Sequence, residues 1–128
     1  MTHTEFHRLR YGSEAWLAAR DRMVEIIKGW ATEERTDFYS TLSGLLRESY
    51  FSVPPRGTLM SQLLEAACRV EADRGAPVML TAIVVNKRTG RPSDQFQVLA
   101  QTAPFRRGDV PGWTWEMEKD AVFAHYGR

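Results

Sequence analysis

Val78-Met-Leu-Thr-Ala-Ile-Val-Val-Asn-Lys-Arg-Thr-Gly-Arg-Pro-Ser-Asp-Gln-Phe96 decides how this chain is read. Residues 78–85 are rich in β-type apolar side chains and run almost without a polar break. A continuous run, rather than an alternating one, predicts burial on both faces, or on one face under a helix. It stops at a polar, basic turn. Lys87–Gly90 can close a hairpin or lead into Pro92, and it sets Lys87, Arg88 and Arg91 at an exposed tip. Beyond the turn, Phe96, Val98 and Ala100 alternate as in a strand, whereas Phe96, Leu99 and Ala100 suit a short helix opening at Ser93. The helix is the preferred reading.

Working towards the N-terminus, Gly75-Ala-Pro77 is a helix stop. Before it, Met60, Leu63, Leu64, Ala67 and Val70 form an apolar stripe at helical spacing, with Thr58 as a capping residue. Tyr50–Gly57, with two prolines and a glycine, breaks the pattern. A shorter helix precedes it, capped by Asp37, with Tyr39, Leu42, Leu45 and Leu46 inward. The first helix starts at the cap Ser13 and runs to about Thr32, burying Trp16, Ala19, Met23, Ile26, Ile27 and Trp30. On the C-terminal side, a loop rich in Pro, Gly and Arg spans 102–112. A last helix from Trp113 to about Tyr126 ends at Gly127.

The expected architecture is a single α+β domain, mainly helical, in a winged-helix-like arrangement with a small β element and a C-terminal helix. Its parts are a polar lead-in (1–12), the N-terminal helix (13–31), the winged-helix-like core (37–101) and the final helix (113–126). The expected core contains Trp16, Met23, Ile27, Leu42, Leu45, Leu63, Leu64, Ile83, Val85, Phe96, Val122 and Phe123.

The 128 residues suit one core, and 43% hydrophobic with 26% charged residues is a globular balance. A net charge of +1 means that any nucleic-acid role must rest on a local patch. The lone cysteine, Cys68, leaves no internal disulfide and no zinc cluster. The expected setting is the reducing cytoplasm, without a membrane span or signal segment. Glycine-rich phosphate-binding fingerprints are absent, so no cofactor is expected.

A helix, a break, a second amphipathic helix and then a β element with a basic turn is the order of a winged helix, which docks on duplex DNA. In that reading Lys87, Arg88 and Arg91 approach phosphates, with counterion release supplying affinity. Gln62 and Arg69, opposite the apolar stripe of their helix, are types that read base edges. Arg56 and Arg106-Arg107 extend the charge if the loops converge. Against this, Glu65, Glu71 and Asp73 on the same helix repel phosphates.

A second reading is a protein-interaction or dimerisation module. It rests on Trp16, Trp30, Trp113, Trp115, Phe123 and Tyr126, which the two terminal helices bury between them unless some are left over. A third is a metal-dependent nuclease. Such a site needs an acid-x-Lys at a strand end, yet the run ends Val85-Asn86-Lys87, leaving only Glu48 and Glu65 as carboxylates from helices. His3 and His7 lack a third metal ligand. His125 is read as a helix-end residue favoured by the dipole, in preference to an acid/base partner of Glu116 or Glu118. Cys68 is read as structural.

Residues 39–126 resemble a segment of uncharacterised small bacterial proteins. The likeness is carried by Gly75-Ala-Pro77, by Leu80-Thr-Ala-Ile-Val-Val-Asn-Lys87, by Thr89-Gly-Arg-Pro92 with Phe96 shortly after, and by Trp115-Glu116 and Val122-Phe-Ala-His-Tyr126. Some of those segments accompany restriction-type nuclease domains. The resemblance implies a winged-helix-like module and transfers no catalytic residue. Ser93-Asp94 stand where those relatives carry glycines. The expectation is therefore non-catalytic binding of duplex DNA through Lys87, Arg88, Arg91, Gln62, Arg69 and Arg56.

Overall fold

Five helices and one very short ladder make up residues 9–127, the part of the chain that the computed structural model describes. In order they are α1 (Glu14–Thr32), β1 (Asp37–Phe38), α2 (Tyr39–Glu48), α3 (Thr58–Asp73), β2 (Val84–Val85), α4 (Asp94–Ala100) and α5 (Trp115–Tyr126). His3 and His7 lie outside the described residues. Mainly helical with a small β element, the molecule is α+β. Among the described residues no helix is long and apolar enough to cross a membrane.

The helix ends follow local chemistry. Ser13 caps α1, its hydroxyl accepting from the Trp16 amide at 3.2 Å. Gly75, at φ +97°, turns the chain out of α3, a conformation that glycine adopts without steric cost. Thr114 caps α5 through the Met117 amide, so this helix starts two residues later than its sequence suggests. Two caps differ from expectation. Asp37 belongs to β1, where its carboxylate accepts from the Phe38 amide and pairs with Arg35, while Phe38 holds the cap position of α2. Thr58 is the first residue of α3, and the cap position is Gly57, which has no side chain to close the helix end.

The largest difference lies in the apolar run. Only Val84 and Val85 form a strand, paired in parallel with Asp37 and Phe38. Leu80–Ile83 instead make one 3-10 turn, fully enclosed by α1, α3 and α5. Side chains take over the role of a ladder there, because buried backbone groups need partners of some kind. The Met79 amide donates to Glu118, the Ala82 amide to Met79 O, and the Trp115 indole donates to Ala82 O at 2.7 Å. No strand follows the basic turn: Asn86 N donates to Arg91 O, Gly90 N to Asn86 O, and the chain enters α4. The hairpin wing expected here is replaced by a closed loop leading into the preferred helix.

The core follows the stripes. Met23 and Ile27 of α1, Leu42 and Leu46 of α2, Leu63 and Ala67 of α3, and Val122 of α5 surround Met79–Val85. Leu45, Leu64 and Phe123 sit at its edge, half-buried rather than enclosed. Trp16, Trp30 and Trp115 are buried, with Trp113 and Tyr126 packed against them. Of the aromatic residues that suggested a partner surface, Trp16, Trp30 and Trp115 are buried in this core, and Trp113, Phe123 and Tyr126 are half-buried at its edge.

Candidate functional site

A groove of about 650 Å³ opens between the start of α3, the Asn86 end of the apolar run and α4. Met60, Leu64, Phe96 and Leu99 give it an apolar floor and wall. Gln62, Asn86 and Gln95 bring three side-chain amides to the same space, from α3, the basic turn and α4 respectively. Among the described residues these amides have no hydrogen-bond partner within the protein. Tyr39, from the first turn of α2, also lines the groove. Its oxygen accepts the Ser93 amide at 2.8 Å, which leaves the hydroxyl proton to donate elsewhere. Burial pushes this phenol above its ordinary value, with the Ser93 bond opposing, so the proton stays in place at neutral pH.

The sequence-predicted cations divide into two sets. Arg56 lines the groove, and Lys87 and Arg88 directly follow its lining residue Asn86 in the chain without lining it themselves; all three are exposed. Lys87 lies 5.8 Å from the Phe38 ring centre, and none of the three has an ion-pair partner among the described residues. The others are engaged. Arg91 pairs with Glu116 of α5 at 3.0 Å and lies over Trp115. Arg69 pairs with Glu65 at 2.9 Å and donates to Ala103 O, so it is not free to read a base. Arg107 is locked to Glu118, and neither it nor Arg106 lines the groove.

The helix expected to read DNA is not presented for it. α3 packs against α1, the 3-10 turn and α4, and its exposed residues are Thr58, Glu65 and Asp73. Gln62 is half-buried in the groove rather than displayed on a convex face. A major-groove approach by this helix would therefore meet two carboxylates and little else.

Sequence reasoning missed two buried carboxylates. Glu71 of α3, 2% exposed, receives Lys28 at 2.8 Å, the Tyr126 hydroxyl at 2.7 Å and Arg74 at 3.0 Å. Glu118 of α5, 4% exposed, receives two guanidinium bonds from Arg107, the Met79 amide and the Trp113 indole. Burial alone would raise both carboxyls, but these donors outweigh it and hold them below the ordinary carboxylate range. Both residues were findable. Glu71 follows Leu63 and Ala67 at four-residue steps, and Glu118 lies between Trp115 and Val122 on the inward stripe of α5. With every oxygen of Glu118 engaged, it is no acid/base partner for His125, which sits exposed in the last turn against the edge of Tyr126.

The remaining candidates are structural. Cys68 is fully buried with its sulfur 2.8 Å from the Thr81 hydroxyl, and desolvation pushes the thiol up to about 11. Such a thiol carries little thiolate at neutral pH and is a poor nucleophile. Glu48 is exposed at the end of α2, while Glu65 is taken by Arg69. Among the described residues no three His, Cys, Asp or Glu side chains gather as a metal-holding group. No protein-family model, no curated protein and no solved structure matches the chain.

Proposed function

We propose that the chain is a non-catalytic nucleic-acid-binding module whose contact surface is the cationic margin of the α3–α4 groove. The observation that carries this reading is that Arg56, which lines the groove, and Lys87 and Arg88, which follow its lining residue Asn86 in the chain, are exposed and have no carboxylate partners among the described residues. Phosphates approaching that margin release counterions without first breaking an ion pair. The resemblance of residues 39–126 to segments that accompany restriction-type nuclease domains accords with such a role, in the cytoplasm. In this form the module grips by the loop Asn86–Arg91 and the Pro54–Gly57 segment, not by a hairpin wing or by insertion of α3.

Fluorescence anisotropy of a labelled oligonucleotide, titrated at several salt concentrations, tests it. Lys87→Ala with Arg88→Ala should weaken binding and reduce the slope of log K against log salt by roughly 1.5–2, the yield of two lost phosphate contacts. Arg91→Ala, which removes a cation already held by Glu116, should change the slope less. Absence of binding by the parent protein at low salt, or an unchanged slope in the double variant, overturns the proposal.

A further inference from the structure

We infer that the groove takes an unpaired base, so that the nucleic acid recognised is single-stranded. This rests on the reading above and adds to it what the cationic margin cannot supply, a site for the base. Apolar side chains of Phe96 and Leu64 line the same groove as neutral amides from Gln62, Asn86 and Gln95. An amide offers both donors and acceptors without a charge, which matches the mixed edge of a nucleobase. The Tyr39 hydroxyl adds one more donor, with its acceptor side already used by Ser93. The groove volume of about 650 Å³ falls within the range of small-molecule sites.

Charge sets the orientation. Glu65 borders the groove on α3 and, although paired with Arg69, repels a phosphate placed there. Arg56 in the groove lining, and Lys87 and Arg88 just past its lining residue Asn86 in the chain, attract it. A strand lying along those cations turns its base inward towards α4. In a duplex the same base is stacked on both sides and its pairing edge is occupied, and two of the three exposed residues of α3, Glu65 and Asp73, are carboxylates that repel a duplex backbone.

Three labelled oligonucleotides of equal length decide the matter by anisotropy: a single strand (as DNA and as RNA), its duplex, and the single strand with abasic sites through its centre. The single strand should bind at least about ten-fold more tightly than the duplex, and the abasic strand should lose a similar factor, because each stacked base contributes about that much. Gln62→Glu with Gln95→Glu should weaken the single strand while a thermal melt of the variant stays unchanged. If that variant is unfolded, the abasic comparison, made on the unaltered protein, gives the answer alone. Equal binding of single strand and duplex, or an abasic strand that binds as well as the intact one, overturns the inference and leaves the electrostatic reading standing. Failure of every oligonucleotide to bind removes both.

Discussion

Glu118 shows what one residue can organise. Its carboxylate ties Arg107 and Trp113 of an irregular loop to the Met79 amide at the centre of the molecule. A buried charge whose partners remain after it is removed leaves those partners unpaired. Glu118→Gln keeps the shape and discards the charge, and should lower stability by about 3 kcal/mol. Glu116→Gln on the same helix breaks only the exposed pair with Arg91, and should stay within about 0.5 kcal/mol of the parent. Urea unfolding of the two variants side by side checks the contrast, and equal losses would show that Glu118 carries no such burden. The inward position of Glu118 is legible from its spacing to Trp115 and Val122. The identity of its partner is not, because Arg107 arrives from a loop whose path no periodicity records.

Elements obey simpler rules, and two glycines make the point with opposite signs. Gly75 ends α3 at φ +97°, and a Cβ there would touch nothing within 4 Å. The penalty of Gly75→Ala is therefore one of backbone conformation, about 1–2 kcal/mol. Gly44 sits inside α2, also with open space around a Cβ. There alanine is the better helix former, and Gly44→Ala should stabilise by up to about 1 kcal/mol. Thermal melts of both variants test the pair; a shift of the same sign in each would refute the assignment of these helix boundaries. The stripes of α1, α2, α3 and α5, the Ser13 cap, the Gly75 and Gly127 stops and the short helix after Ser93 could all be read from residue spacing. The Val78–Val85 run could not be resolved in the same way. Continuous apolar character reports burial on every side, and a turn wrapped by three helices is as buried as a central strand. β1 was equally hidden, since two residues, one of them an aspartate, give no period to detect.

At the scale of the molecule, Glu71 and Glu118 join α3 to α1 and α5, and α5 to its preceding loop, so they couple tertiary structure to acidity. Both carboxyls lie below their ordinary value in the folded state. The unfolded chain therefore binds their protons first as pH falls, and their contribution is whole above the unfolded value of about 4.3 and is lost below it. Melting temperature should be nearly level from pH 7 to about 5 and should drop as the solution is taken towards pH 3. Glu118→Gln should make that drop shallower while lowering the plateau. Calorimetry across this range checks it, and a curve in Glu118→Gln parallel to the parent's would exclude Glu118 as a contributor. The candidate site belongs to this scale too. The basic turn was plain in the sequence, but that Arg91 is paired while Lys87 and Arg88 are not depends on Glu116 of a distant helix, and the groove itself exists only once α3 and α4 are packed. Trp115 stands behind that turn with Arg91 over its ring at 5.2 Å and Lys119 at 5.5 Å. Its surroundings thus include two cations, one of them on the basic turn, so a displacement of that loop should register in the emission of Trp115.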